Sequence, residues 1–432
     1  MKTKRTKFIL ALVIFSLTGP VAWVVENMYL NVFIYKMFNA SEKDIALMVA
    51  LSSVAATLTT LIIGALSDKI GKRKLFMVGG YILWGISILA FALIRMDAIS
   101  AIVPVGASAA AVAITLVIIL DCVMTFFGSS ANDAAFNAWL TDSTDSTNRG
   151  AAEGINAMMP LVAMLAVFGG FMGFDLNLEG SWSIIFLIIG IAVLAIGVLG
   201  IFIIEEPKIE TEENKSYFKN ILYGFRPCVV KENVPLYLAL AAFALFGIGI
   251  QIFMPYLIIY YNVSLAMENY VLIMAPAIVL ASVFTFFYGK LYDKYRFRGT
   301  ILPALVLLAL GQLMLFLFKN TALVFIGSLL LMCGYLSATA IFGAVIRDHT
   351  PENKAGMFQG LRIVAQVLLP GVIGPAIGAA ILSGADRIIG DDGTASLLPN
   401  ANIFLGALIV AVVLGGLLML WFQFLEKKNQ EI

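Results

Sequence analysis

The sequence predicts an all-α membrane protein with twelve transmembrane helices in two pseudo-symmetric six-helix bundles, and three observations predict it. The first is composition: 61% of the 432 residues are hydrophobic and 13% are charged, whereas soluble chains carry about 25% charged residues. So few charges cannot cover the surface of a water-soluble globule. The second is a division into twelve apolar stretches, and the third is an internal repeat of the two halves.

Each stretch is long enough to cross a bilayer, which takes roughly 20 apolar residues. The basic start, Lys2–Lys7, resembles a signal peptide, but the apolar run behind it is too long for one, so we expect it to form the first span. Charges and turn residues place the spans at 8–35, 45–66, 75–95, 110–140, 151–174, 183–204, 235–261, 268–290, 300–318, 322–346, 355–384 and 401–424.

The distribution of Lys and Arg predicts the orientation, because cytoplasmic loops carry an excess of both. With both termini inside, 22 of the 28 basic residues lie on the inner side, five lie outside and Arg362 lies within a span. We therefore expect a multi-pass protein of the plasma membrane with both termini cytoplasmic. A net charge of +1 gives no reason to expect a nucleic-acid partner.

Enzymatic chemistry has little support in the sequence. The three cysteines lie far apart, His349 is the single histidine, and neither a phosphate-binding GxxxxGK[ST] loop nor an HExxH motif occurs. We therefore expect that the protein is not an enzyme and that it holds no cofactor and no metal ion. A membrane-embedded enzyme or a non-transporting sensor is kept as a third hypothesis, which product formation in vesicles without solute movement would support.

The domain organisation follows from the longest charged stretch. We expect an N-terminal bundle at 1–204, a cytoplasmic linker at 205–233 and a C-terminal bundle at 234–432. Within the linker, apolar residues recur at helical spacing, which predicts a short amphipathic helix on the membrane surface. These residues are Tyr217, Phe218, Ile221, Leu222 and Phe225.

The internal repeat relates spans 1–6 to spans 7–12. Gly64–Lys74 reads GALSDKIGKRK after span 2, and Gly289–Gly299 reads GKLYDKYRFRG at the equivalent place after span 8. A second pair follows spans 4 and 10, where Asp142 and Arg149 correspond to Asp348 and Lys354. Parallel half-repeats of six spans are a transporter architecture.

The Gly64–Lys74 segment resembles the loop 2–3 signature of the major facilitator superfamily, and the second copy resembles its degenerate partner. The resemblance implies alternating access by rocking of the two halves, with Asp68 interacting with the start of span 11 in one conformation. A topology-fixing role for the same charges is the alternative. The residues that the resemblance assigns to the conformational gate are Gly64, Asp68, Arg73, Asp142, Arg149, Asp293 and Asp348.

A further resemblance is to the glycoside–pentoside–hexuronide sugar–cation symporters. Met28-Tyr29-Leu30 in span 1 and the Leu140–Gly150 loop carry it. Sodium-coupled members of that group have paired aspartates in span 2, whereas Ala55–Thr60 reads AATLTT here. This difference weighs against a sodium site of that kind.

Carboxylates inside the spans are the candidates for ion coupling, because an ionisable group in the membrane is costly and by default marks function. Asp121 lies roughly 30 Å from the end of span 4, and Glu26 lies roughly 28 Å from the start of span 1. Both are therefore expected at similar depth, in the outer half. Asp133 lies deeper toward the cytoplasm, at the level of Arg362, and a structural salt bridge between them is the alternative to substrate contact.

Polar stripes on spans 1, 4 and 11 predict one central cavity. Trp23, which would otherwise be an interface aromatic, is expected to stack on the solute. Neighbour-helix hydrogen bonding is the expectation for Asn31, Asn137 and Gln312. The residues expected to bind the solute are Trp23, Asn27, Asn132, Gln251, Arg362 and Gln366; Glu26, Asp121 and Asp133 are expected to handle a proton or sodium ion.

These observations favour secondary active transport by a monomer in the lipid bilayer. The first choice is proton- or cation-coupled symport of a small polar solute such as a sugar or glycoside. The alternative is an exporter of drugs or amphipathic metabolites by proton antiport. Gly371–Gly378 resembles the span 5 signature of drug antiporters, but it lies in span 11, where helix packing explains it more simply.

Overall fold

The computed structural model describes residues 2–104, 108–144, 148–207, 223–351, 355–389 and 395–430. Within these residues, eleven helices are long and apolar enough to cross a membrane. They are α1 (Thr6–Phe38), α2 (Glu42–Ile70), α3 (Arg73–Phe91), α4 (Ala109–Asp142), α5 (Ala152–Phe171), α6 (Glu179–Ile203), α7 (Val234–Ser264), Val271–Leu317, α10 (Thr321–His349), α11 (Gly360–Leu382) and α12 (Asn402–Gln423).

The helix Val271–Leu317 contains two spans. Its 47 residues would extend about 70 Å, more than twice the thickness of the hydrocarbon core. The backbone leaves helical geometry at Arg296, where φ is 54° and ψ is −171°. We call the part before Arg296 α8 and the part after it α9. The described chain thus holds twelve spans, which confirms the predicted fold class.

One detail differs from the prediction. The chain is not entirely helical: β1 (Arg387–Ile389) and β2 (Ala395–Leu397) form an antiparallel hairpin between α11 and α12. The isoleucines of β1 are exposed.

Local sequence sets both ends of α2. The Ser41 hydroxyl accepts from the Asp44 backbone N–H at 3.3 Å, and the Asp44 carboxylate accepts from the Ser41 N–H at 2.8 Å. This reciprocal capping satisfies donors that the first helical turn leaves free. At the other end Gly71 adopts φ 69°, which costs glycine no side-chain clash. The second glycine of the GALSDKIGKRK motif therefore ends α2 and lets α3 begin.

The chain divides into two compact units, Met1–Leu222 and Tyr223–Ile432. In unit 1, α1 packs along α5, α3 along α6, and α2 across α4. In unit 2, α7 packs along α11, the α8–α9 segment along α12 and α10, and α7 also along α12. The two units thus pair equivalent helices, as the repeat predicts. The amphipathic linker helix predicted around Tyr217 falls mostly outside the described residues.

Candidate functional site

A pair of buried carboxylates lies where α1, α2 and α4 meet in unit 1. Glu26 is 6% exposed and Asp121 is 1% exposed. Glu26 lies in a π-helical turn of α1, Val25–Leu30. Such single π-helical turns widen a helix locally and frequently occur at functional sites.

Two hydroxyl groups hold one oxygen of this pair. The Ser52 hydroxyl, on α2, donates to Glu26 Oε1 at 2.8 Å, and the Thr125 hydroxyl, on α4, donates to the same oxygen at 2.9 Å. The two hydroxyl oxygens are themselves 2.9 Å apart. The Glu26 carboxylate of α1 is therefore joined to both α2 and α4 through these two hydroxyl groups.

Each carboxyl group also has an unsatisfied oxygen. Within the described residues, Glu26 Oε2 and Asp121 Oδ1 are buried and have no hydrogen-bond partner. A buried acceptor without a partner costs about 1–3 kcal/mol, and more for a charged group. Two carboxylates in one apolar site cannot both ionise at low cost. The arrangement therefore favours the binding of a cation or a proton.

A second polar cluster surrounds Asp133 in the π-helical segment Ser129–Phe136 of α4. The Ser129 hydroxyl donates to Asp133 Oδ2 at 2.9 Å, and the Asn132 amide donates to Oδ1 at 3.1 Å. Asp133 is half-buried, so this cluster is more open than the Glu26–Asp121 pair.

The orientation of Asn132 depends on two residues from other helices. The Tyr81 hydroxyl, on α3, lies 3.1 Å from Asn132 Oδ1 and can donate to it. Gly19 of α1 leaves the space for the amide, because a Cβ there would lie 2.1 Å from Asn132 Oδ1. Asn132 is thereby held next to Asp133, with its amide N–H groups directed at the carboxylate.

An aromatic platform adjoins this cluster. The rings of Trp23 and Trp84 lie 4.9 Å apart at an interplanar angle of 46°, and both pack against Gly128, where a Cβ would come within 2.9 Å of each ring. Trp84 is fully buried, whereas Trp23 is half-buried. One turn along α1, the exposed Asn27 donates its amide to the Trp23 carbonyl at 2.8 Å.

The candidate residues of unit 2 lie on α7 and α11. Gln251 is half-buried, and its stem packs on Gly374, where an added Cβ would lie 2.4 Å from the Gln251 Cβ. Gln366 lies in another π-helical turn, Val364–Leu368. Arg362 is exposed within the unit. The α11 glycines, Gly378 included, approach the α7 backbone closely, consistent with the packing role expected for them.

The predicted gate of unit 1 centres on Arg73. Its guanidinium group lies 2.6 Å from Asp68 Oδ1 and 2.9 Å from Asp142 Oδ2, and it donates to the Ser67 hydroxyl at 2.7 Å. Arg73 is 5% exposed. The planar guanidinium group suits such multiple contacts. Arg73 therefore joins the ends of α2, α3 and α4.

The other gate candidates surround this centre or its counterpart in unit 2. The Glu206 carboxylate accepts from the Arg73 backbone N–H at 2.6 Å and so caps α3, a contact that the sequence does not reveal. A Cβ on Gly64 would meet nothing within 4 Å, and the Arg149 side chain lies outside the described residues. In unit 2, the Tyr292 hydroxyl donates to Asp348 Oδ2 at 2.7 Å, while Asp293 is exposed.

The expectation of neighbour-helix hydrogen bonds is wrong for three residues. The Asn31 amide donates to the Asn27 carbonyl, and the Asn137 amide to the Asp133 carbonyl, each within its own helix. Gln312 of α9 is 1% exposed, and neither amide atom has a partner among the described residues. Four-residue spacing brings the two asparagines back to carbonyls of their own helix.

Replacing Arg73 should weaken unit 1 in a graded way. We expect Arg73→Ala to lower the melting temperature by at least about 5 °C, because it leaves two carboxylates without their cation. Arg73→Lys should fall between that variant and the wild type, because an ammonium group cannot make the planar contacts. Thermal unfolding of the purified variants in detergent is the measurement. Lys72→Ala removes an exposed charge from the same loop and serves as the control; equal melting of Arg73→Ala and Lys72→Ala would contradict the prediction.

The two six-helix units, with polar clusters buried inside one of them, define a membrane transporter of small solutes. A family model of the Major Facilitator Superfamily matches residues 8–375 and 279–431. The chain belongs to this superfamily, which confirms the resemblance seen in the sequence, and it is a transporter rather than an enzyme.

Solved structures show the same fold. A mutant of the nucleoside transporter NupG is 14% identical, with a TM-score of 0.73 over 96% of this chain and 99% of that one. A bacterial homologue of the human lysosomal transporter Spinster is 17% identical, with a TM-score of 0.70 over 97% of both chains. A D-xylose–proton symporter is 15% identical, with a TM-score of 0.70 over 96% and 97%. No curated protein matches the chain significantly.

Sequence reasoning missed Ser52 and Tyr81 as parts of the two clusters. The signal for Ser52 was a pair of serines, Ser52-Ser53, in an otherwise apolar part of span 2. Nothing in the sequence indicated that Ser52 would contact Glu26 and Thr125 from two other helices, because these contacts depend on how the three helices cross.

Proposed function

We propose that this transporter is a secondary active symporter that moves a small polar solute, such as a sugar or glycoside, together with a cation. The observation that carries the proposal is the pair Glu26 and Asp121, each with one buried oxygen that has no partner in the described chain. A bound cation or proton neutralises the charge of these carboxyl groups and so removes the free-energy cost of burying them. Binding of that ion and of the solute to the same protein then couples their movements.

The solute class is supported by the side chains near Asp133. An indole ring, amide groups and a carboxylate can stack on and hydrogen-bond the hydroxyl groups of a sugar. On α1 and α4 these are Trp23, Asn27 and Asn132, and in unit 2 we assign Gln251, Arg362 and Gln366 to the solute as well. Two similar folds carry the names nucleoside transporter and D-xylose–proton symporter, and a nucleoside is itself an N-glycoside.

We place the transporter in the plasma membrane, with both termini cytoplasmic, on the strength of the asymmetric distribution of Lys and Arg. The gate role of Asp68, Arg73 and Asp142 belongs to the same proposal. Their ion pairs join three helix ends, and an interaction made in only one conformation biases a two-state equilibrium.

The first test is ligand-dependent thermal stabilisation of the purified protein, because a ligand that binds the folded state raises the melting temperature. The panel holds D-xylose, methyl-β-D-glucoside, lactose, uridine, an amino acid, an organic acid and ethidium. Each ligand is measured with and without sodium at two pH values. Stabilisation by a sugar or glycoside that sodium or low pH enhances supports the proposal.

Stabilisation by ethidium alone would overturn the symport proposal in favour of the exporter. An exporter also predicts that expression lowers the dye content of cells. The ligand that binds is then tested for accumulation in proteoliposomes. No accumulation under any imposed ion gradient would leave the chain without a coupled uptake function and would also contradict the proposal.

A further inference from the structure

The bend between α8 and α9 lies in the segment Gly289–Gly299, the second copy of the internal repeat, and we call it the α8–α9 corner. Its sequence holds one acidic residue, Asp293, and four basic residues. Lys290 lies roughly 28 Å along α8 from Val271, which is close to the hydrocarbon thickness of about 30 Å. The corner therefore lies at one face of the membrane. All four of its basic side chains are exposed: Lys290, Lys294, Arg296 and Arg298.

The first copy of the repeat uses basic residues inside unit 1, whereas the second copy does not use three of its own in this way. Arg73 contacts two carboxylates, and the Lys74 ammonium group donates to the Ile201 carbonyl at 2.7 Å. At the α8–α9 corner, three exposed cations form no ion pair with any residue that the structure describes: Lys290, Lys294 and Arg296. These three cations can therefore meet a ligand from outside the chain.

Arg296 has a backbone conformation that an arginine adopts only at a cost. Its φ of 54° with ψ of −171° lies in a region that is nearly restricted to glycine. The corresponding position in the first copy of the repeat is a glycine, Gly71, with φ 69°. The arginine thus costs folding free energy that a glycine at the same corner would not. Strain of this kind clusters at functional sites such as ligand clamps, and the strained residue here is a cation.

Exposed aromatic rings lie beside the two lysines of the corner. Lys290 Nζ lies 4.8 Å from the ring centroid of Phe286 and 5.4 Å from that of Phe287. Lys294 Nζ lies 5.0 Å from the ring centroid of Tyr295. Phe286 and Phe287 are 65% and 60% exposed. Because these two rings precede Lys290 by one helical turn, the ammonium group is directed back along α8 toward its apolar part.

The exposed face of α8 continues away from the corner as an apolar stripe. Val279 and Val283 are exposed on it. At 100° per residue, both valines, both phenylalanines and both lysines fall within about 100° of one another. One face of α8 is thus apolar along the membrane and cationic where the membrane ends. A phospholipid has the same order of groups, with its acyl chains along the helix and its phosphate at the boundary.

The charge of the corner selects among lipids. Four basic residues and one acidic residue favour a lipid with a net negative charge over a zwitterionic one, since clustered Lys and Arg beside a transmembrane helix attract anionic headgroups. Arg298 adds to this charge but is directed elsewhere, because its Cζ lies 5.7 Å from the ring centroid of Phe422 on α12. The exposed rings favour a lipid over a soluble phosphate, which has no apolar part to cover them.

We propose that the α8–α9 corner binds an anionic phospholipid. Lys290, Lys294 and Arg296 hold its phosphate-bearing headgroup through charge-assisted contacts, and Phe286 and Phe287 contact its acyl chains. Because Lys290 belongs to α8 and Arg296 forms the bend, one headgroup ties the end of α8 to the start of α9. This site depends neither on the identity of the solute nor on the coupling ion.

Lipid-dependent thermal stabilisation of the purified protein in detergent tests the site, because a ligand that binds the folded state raises the melting temperature. The probes are a phosphatidylglycerol and a phosphatidylcholine with the same acyl chains. We expect phosphatidylglycerol to raise the melting temperature by at least about 3 °C more than phosphatidylcholine does. In a variant that combines Lys290→Ala with Lys294→Ala, this difference should fall below about 1 °C.

Arg296→Gly separates loss of lipid binding from loss of folding. The substitution removes one cation and places a glycine where φ is positive, so the variant should melt no lower than the wild type when no lipid is added. The advantage of phosphatidylglycerol over phosphatidylcholine should nevertheless fall by about half or more. A purely structural role for Arg296 would instead lower the melting temperature without lipid and leave the lipid difference unchanged, which would contradict the assignment of Arg296.

The matched control combines Lys69→Ala with Lys72→Ala, which removes two exposed cations from the first copy of the repeat and should keep the full advantage of phosphatidylglycerol. Inorganic phosphate at the same ionic strength should not stabilise the wild type. The proposal is overturned if phosphatidylglycerol has no advantage, or if the Lys290 and Lys294 variant retains it. Loss of the advantage in the control would show general attraction to anionic lipid, and equal stabilisation by phosphate would show a soluble ligand; either result also overturns it.

Discussion

Glu26→Gln and Asp121→Asn are each expected to abolish gradient-driven accumulation of the solute while the protein still reaches the membrane. Both substitutions keep size and shape but prevent the carboxyl group from gaining or losing a proton. We expect accumulation to fall by at least about 100-fold, which corresponds to about 2.7 kcal/mol. Accumulation of the ligand identified by thermal stabilisation, measured in proteoliposomes with an imposed gradient, tests this.

Exchange of solute without a gradient separates loss of coupling from loss of folding. Because neither substitution touches the Trp23–Asn132 region directly, exchange should remain within about tenfold of wild type, or 1.4 kcal/mol. Asp97→Asn, which neutralises an exposed carboxylate, is the matched control and should leave accumulation unchanged. Wild-type accumulation by both Glu26→Gln and Asp121→Asn would remove the ion-coupling role from this pair.

Gly334→Ala should prevent unit 2 from packing, although it adds a single methyl group. A Cβ at Gly334 of α10 would lie 2.3 Å from the Leu308 backbone nitrogen and 2.6 Å from its Cα. Because the added methyl group would clash with backbone atoms, the clash can be relieved only by moving α9 away from α10. We expect destabilisation of at least about 3 kcal/mol, the range seen when close packing is disrupted severely. The readout is the yield of monodisperse protein and its melting temperature.

Gly343→Ala is the matched control on the same helix. A Cβ at Gly343 would meet nothing within 4 Å, and alanine is favoured over glycine in a helix by about 1 kcal/mol. This variant should therefore melt at or slightly above the wild-type temperature. Equal melting temperatures for Gly334→Ala and Gly343→Ala would contradict the close approach of α9 and α10.

Several parts of the candidate site could be predicted from the sequence because depth in a membrane helix follows from residue count. The rise per residue brings Glu26 and Asp121 to a similar depth, and the structure buries both in unit 1. The same arithmetic assigns Asp133 to a separate level, and the structure gives it a separate set of partners. The roles of these residues in transport stay predictions.

Other parts could not be predicted because they depend on local departures from regular helical geometry, which an analysis of helical periodicity does not include. Sequence analysis treated every span as a regular α-helix, yet π-helical turns carry Glu26, Asp133 and Gln366. An extra residue in a turn rotates the side chains that follow it. Gln312, expected to bond a neighbouring helix, has no partner among the described residues, since the packing of α9 brings none to it.

The sequence by itself determined that the chain crosses a membrane, how many times, and that its halves are related, because each of these follows from composition, length and repetition. It also indicated that Arg73 belongs to a charged motif. Only the tertiary structure decided what these residues touch: Arg73 joins Asp68 to Asp142, and Ser52 connects Glu26 to Thr125. Such contacts bring together residues far apart in the chain, and their distances are set by how helices cross and where glycines let them approach, which no local pattern encodes.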